Sequence, residues 1–121
     1  MAFLGPESGW AAEAAECASD QNKFWEYHDI LFARQAGENS GAFAKDKLMG
    51  FAAELKLDTN AFNTCVVTGK YTAQVQRDTQ NAGLFGVSST PTFLINGRLV
   101  NGALPFASFQ QAIDAAKSQH N

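Results

Sequence analysis

Thiols are the side chains of this 121-residue sequence best suited to covalent chemistry, and there are two of them, Cys17 and Cys65. They lie 48 residues apart, which excludes the vicinal Cys-x-x-Cys arrangement in which an attacking thiolate and a resolving thiol exchange a disulfide. Three uses stay open on the residues alone: a structural bridge between two helices, a pair of buried free thiols, and a redox-active pair. A bridge closing such a loop would stabilise the fold by about 4 kcal/mol on the chain-entropy account and would imply an oxidising compartment. His28 and His120 have no acidic or cysteine ligands at suitable spacing, so neither a metal site nor any other cofactor is expected. Glu13 and Glu16 share a helix face and read as a solvated surface rather than an acid–base pair. Gly83 to Gly86 lacks a phosphate-cradling pattern.

The elements that must position these residues are mostly helical. Proline at a first helical position sacrifices no hydrogen bond, and an acidic residue suits the positive end of the helix dipole, so Gly5-Pro6-Glu7 predicts a helix from Pro6 to about Ser19. Its Ala11, Ala12, Ala14, Ala15 and Ala18 permit close approach by neighbouring helices. Asp20 and Asn22 are expected to cap a second helix, whose Phe24, Tyr27, His28, Leu31 and Phe32 recur at spacings of three and four. Gln35 to Gly41 reads as a loop. Phe43, Leu48, Phe51, Ala52 and Leu55 mark a third helix ending near Lys56, and Asp58 caps a fourth that holds Phe62, Cys65 and Val66 and closes at Gly69. A fifth runs from Lys70 to about Ala82 with Tyr71, Val75 and Thr79 turned inward. Trp10, Trp25 and the ten phenylalanines are expected to be core.

The pattern changes at Gly86. Thr92-Phe93-Leu94-Ile95 and Arg98-Leu99-Val100 flank Asn96-Gly97, and a two-residue turn needing positive φ at both positions predicts a hairpin there. Pro105 opens a last helix with Phe106, Phe109, Ile113 and Ala116 on one face. Alternate side chains of Thr92 to Ile95 point to opposite faces, and both faces are apolar, so this strand belongs inside a sheet. The sequence supplies one ladder partner and leaves the other edge open. A homodimer or higher oligomer through that edge is therefore expected.

Composition narrows the class. With 45% hydrophobic residues the chain can form one core, and its nine Lys and Arg are scattered against a formal net charge of -3, which argues against a nucleic-acid partner. No stretch reaches the length of a membrane span. Met-Ala-Phe-Leu-Gly-Pro lacks the basic and apolar regions of a secretory signal, so a soluble chain is expected, with Met1 either a start or a boundary inside a longer reading frame.

Thr90-Pro91-Thr92-Phe93, the Asn-Gly hairpin and the amphipathic helix after it resemble the second half of a thioredoxin fold. Gly5-Pro6-Glu7-Ser8, Ala11 to Ala18 and Phe24-Trp25-Glu26-Tyr27-His28-Asp29-Ile30-Leu31-Phe32 resemble the helical insertion of DsbA-like thiol-disulfide oxidoreductases, in the same order. The resemblance implies an α+β, mostly α, truncated thioredoxin-like fold: a single partial domain over 1–121, with the insertion at 6–85 and the cis-proline loop, hairpin and last helix at 86–121. It implies that Pro91 is the cis-proline shaping a substrate groove, that Thr90 contacts bound peptide, that the partners are cysteine-containing proteins or peptides, and that the setting is a prokaryotic cell envelope or extracytoplasmic space. The family places a strand and a Cys-x-x-Cys before the insertion. This sequence has neither, so no catalytic residue is assigned and the chain is expected to be inactive by itself. The alternatives are a non-catalytic interaction or assembly module and part of a glutathione-dependent, kappa-type transferase or isomerase.

Overall fold

A computed structural model describes residues 2–119. Six helices and one hairpin follow in order: α1 (Pro6–Ser19), α2 (Phe24–Ala33), α3 (Lys45–Glu54), α4 (Thr59–Thr68), α5 (Thr72–Leu84), β1 (Thr92–Ile95), β2 (Arg98–Asn101) and α6 (Phe106–Ser118). The fold is α+β and mostly α. The chain divides inside α5 into two compact units, 1–81 and 82–121.

The first unit is built on its own core. Ala14, Cys17 and Ala18 of α1 pack with Tyr27, Leu48, Phe51, Ala52, Phe62, Cys65 and Val66, while Trp10, Phe24, Leu31 and Tyr71 lie partly buried against them. The alanine-rich stripe of α1 explains this arrangement, because small side chains let α2 and α4 approach its backbone. Tyr27 is fully buried and its Oη donates to the Leu48 carbonyl at 2.8 Å, so its polar end is satisfied as a buried hydroxyl must be. Burial raises the Tyr27 pKa, keeping the phenol neutral. Asp58 caps α4 by accepting from the Ala61 N–H at 3.1 Å, and Gly69 ends it in the left-handed region at φ 66°. A β-carbon at Gly69 would also collide with the Thr72 hydroxyl.

Several local expectations are corrected. Asp20 and Asn22 do not cap α2: its N-cap is Lys23 with no side-chain bond, Asn22 turns through φ 59°, and Asp20 is the C-cap of α1 with its carboxylate committed elsewhere. α1 donates a hydrogen bond outside its own segment, since Asn39 Oδ1 accepts from the Glu7 N–H at 3.3 Å and the Asn39 amide packs on Gly5, where any β-carbon would clash. α3 starts after Phe43, and α5 starts two residues later than Lys70. Trp25 is not core but 68% exposed, and Phe32, Phe85 and Phe106 are also exposed.

The second unit is a hairpin and a helix. β1 pairs antiparallel with β2 in the register Phe93↔Val100 and Leu94↔Leu99, joined by Asn96-Gly97 with φ of 52° and 84°. Directly paired residues share a face, so Phe93, Ile95 and Val100 lie on one side and Leu94 and Leu99 on the other. α6 covers the first side, with Phe109 meeting Phe93 edge to face at 4.8 Å. Of the face anticipated for α6, Phe109 and Ala116 are half-buried, whereas Phe106 and Ile113 are exposed.

Candidate functional site

In the second unit, the segment after α5 leads through Val87 and Ser88 to Thr90 and Pro91, whose connecting peptide bond is cis. The Pro91 carbonyl accepts from the Gly102 N–H at 2.8 Å, and Thr92 Oγ1 donates to the Ser89 carbonyl at 2.7 Å, so the chain on both sides of the proline is fixed to its own neighbours. Thr90 is exposed, and its N–H and carbonyl form no hydrogen bond among the described residues. β1 has one strand neighbour, which leaves its other edge unpaired among the described residues.

In the first unit, Cys17 of α1 and Cys65 of α4 form a disulfide with a Cα–Cα separation of 5.9 Å. Beside it lies a charged cluster absent from the sequence reading. Asp20 Oδ2 accepts from Lys70 Nζ at 2.7 Å, Asp20 Oδ1 accepts from the Tyr71 hydroxyl, and Asp20 Oδ2 lies 3.9 Å from Cys65 Sγ. The hydrogen bond from Lys70, reinforced by that from Tyr71, holds the Asp20 carboxyl below the usual carboxylate range. The same bond to Asp20 raises the Lys70 pKa, and it raises that of Tyr71 together with burial. Lys70 and Tyr71 stand 50 and 51 residues from Asp20, so no local pattern could have revealed the contact.

His28 Nδ1 lies 3.0 Å from Asp29 Oδ1, and its ring sits between Trp25 and Phe32 at 5.2 and 4.8 Å. This is an exposed aromatic row on α2. His120 lies outside the described residues.

The helix order, the hairpin and the proline loop define the class: an α+β chain of thioredoxin-like fold. A family profile described as thioredoxin matches residues 2–115, and the chain belongs to that family. A solved thioredoxin-like oxidoreductase from Silicibacter pomeroyi superposes with a TM-score of 0.78 at 28% identity, covering 96% of this chain and 64% of that one. The chain is 37% identical over 111 residues to Na(+)/H(+) antiporter NhaA 1 of Salinispora arenicola, covering 92% of this chain but 16% of the antiporter. It is 27% identical to the probable disulfide bond formation protein D of Bacillus anthracis, spanning 52% of that protein. The chain thus corresponds to a part of each of these relatives.

Proposed function

We propose that this chain is the groove-forming part of an oxidoreductase acting on protein cysteines, working beside a dithiol that its own sequence does not contain. The observation that carries the reading is the superposition on a thioredoxin-like oxidoreductase of which the chain spans 64%, combined with two cysteines that are already joined to each other. Thr90 and Pro91 would line the groove, with the free backbone groups of Thr90 pairing with an extended cysteine-containing peptide. The 6–85 segment would serve as the helical insertion and 86–121 as the groove-bearing remainder. The open edge of β1 would be closed by a second copy or by another strand.

The purified chain is then expected to reduce insulin, or oxidise a reduced test peptide, no faster than buffer. Turnover abolished by Cys17→Ser or Cys65→Ser would overturn the reading. Titration with an extended cysteine-containing peptide should shift amide resonances of Thr90 and Thr92 first, and light scattering across a dilution series should show a mass above that of one chain.

A second reading is favoured by the antiporter relatives, which match 92% of this chain over a small share of their own length. In it the chain is a non-catalytic thioredoxin-like module carried by a longer protein. Peptide titration discriminates the two, because that module need not recognise cysteine-containing sequences.

A further inference from the structure

Glu7 is the one buried charged residue among those described, at 7% exposure, and its carboxylate has no hydrogen bond or ion pair among the described residues. Its place in the first turn of α1 accounts for part of this, because the positive end of the helix dipole favours an acid. A dipole supplies no full charge, however, and a buried carboxylate without a partner is costly. Among the described residues that are not exposed, Asn63 alone has a side-chain oxygen that is both sealed from solvent and without a partner, so the Glu7 oxygens keep an opening. That opening is a depression of about 130 Å³, bordered on its polar side by Ser8, Gln35 and a second carboxylate, Glu38, and on its apolar side by Leu4, Ala11 and Phe43. No lysine, arginine or histidine among the described residues lines it. Its rim is tied down, since Asn39 Oδ1 accepts from the Glu7 N–H at 3.3 Å and Ser40 Oγ donates to the Gly37 carbonyl at 3.0 Å.

We propose that this depression binds a primary alkylammonium group, with Glu7 as its counter-ion. An ammonium carries three N–H donors and no acceptor, and the polar side offers it two carboxylates with the oxygen of Ser8 or Gln35 as a third acceptor. The apolar side suits the methylene stem behind such a charge. Small-molecule sites usually enclose about 300–1,000 Å³. A space of about 130 Å³ takes no more than the end of one chain. A metal ion fits less well, because no three His, Cys, Asp or Glu side chains among the described residues gather to hold one, and a hard cation gains nothing from Leu4, Ala11 and Phe43. The ammonium can come from a lysine side chain of another polypeptide or from a free amine. The residues of the site all belong to the helical unit, and the proposal does not depend on the oxidoreductase reading.

The test is titration of the intact oxidised chain with n-butylammonium chloride, followed by amide resonances and by the thermal midpoint, against sodium chloride at equal ionic strength. Butylammonium is expected to shift the amides of Glu7, Ser8 and Glu38 along a saturable curve and to raise the midpoint, while sodium chloride does neither. Glu7→Gln, which keeps the shape and removes the charge, should weaken binding by about tenfold or more and cancel the rise in midpoint. Glu38→Gln, at an exposed position, should weaken it about threefold. It carries the test if Glu7→Gln fails to fold. Glu26→Gln, on α2 and outside the depression, should bind as the wild-type chain does. A peptide acetyl-Ala-Ala-Lys-Ala-Ala-amide that binds more tightly than butylammonium identifies a polypeptide lysine as the source, and the opposite order identifies a free amine; either result supports the site. The proposal is overturned if the shifts do not saturate, if sodium chloride reproduces them, if they survive unchanged in Glu7→Gln or in Glu38→Gln, or if calcium chloride produces them at lower concentration. None of these readouts involves thiol turnover, so failure of the insulin or peptide assays leaves them intact.

Discussion

The helical unit and the hairpin unit treat their apolar residues in opposite ways. Every buried apolar side chain among the described residues lies between Ala14 and Val66. In 82–119 no residue is buried, although Leu84, Phe85, Phe93, Leu94, Leu99 and Phe106 are there to be covered. The first unit satisfies itself because four helices meet around one set of side chains. A two-stranded sheet with one helix has too little material to enclose a strand that is apolar on both faces. The difference teaches that cohesion is unevenly distributed along this chain: the helices of the first unit enclose a core, and the unit carrying Thr90 and Pro91 leaves its large apolar side chains exposed or half-buried.

Truncating a side chain in each unit should produce the largest contrast. Phe62→Ala removes a fully buried ring and is expected to cost about 3–5 kcal/mol, whereas Phe106→Ala, at an exposed position, should stay within about 0.5 kcal/mol. Comparable shifts in denaturation midpoint for the two would erase the comparison. Replacing Cys17 and Cys65 together by alanine should cost about 2–4 kcal/mol, read as a lowered midpoint without reductant. Tyr27→Phe, which strips the hydroxyl from its bond to the Leu48 carbonyl, should cost about 1–2 kcal/mol with little structural change. The smallest effect concerns acid. Asp20 titrates below its unfolded value because Lys70 and then Tyr71 bond to it, so its stabilisation is complete above about pH 4 and is lost as pH falls through the lowered folded value. The stability difference between the wild-type chain and Asp20→Asn should therefore be present at pH 6 and vanish at strongly acidic pH. A difference that persists there would assign it to packing instead.

Signals confined to a few consecutive residues were legible. Gly5-Pro6-Glu7 opened α1, Asp58 and Gly69 bounded α4, and Asn96-Gly97 turned the hairpin, each because one residue's own side chain or φ sets the local backbone. Asp20 and Asn22 misled because a polar residue near a helix start can cap it or spend its oxygens on a distant partner, and the partners of Asp20 are Lys70 and Tyr71. Trp25 and Phe32 misled differently. Periodicity for Phe32, and residue type alone for Trp25, mark an apolar side chain but do not say whether this chain brings anything to cover it. The residue types around Thr90 and Pro91 were visible, yet the role proposed for them comes only through resemblance, since a threonine and a proline carry no intrinsic chemistry for thiols.

The bridge has a topological consequence. Cys17 and Cys65 enclose α2, the connecting stretch 34–44, exposed over 34–41, and α3 in one covalent ring. A protease that cuts this ring once, for instance after Arg34 in that exposed stretch, opens the circle without releasing a fragment. Such a clipped molecule keeps its full mass, plus one water, and migrates as one chain until reductant separates it into two. Inventories of intact protein made without reductant would count it as whole, so stocks handled that way can carry silent cleavage inside the region that contains the core.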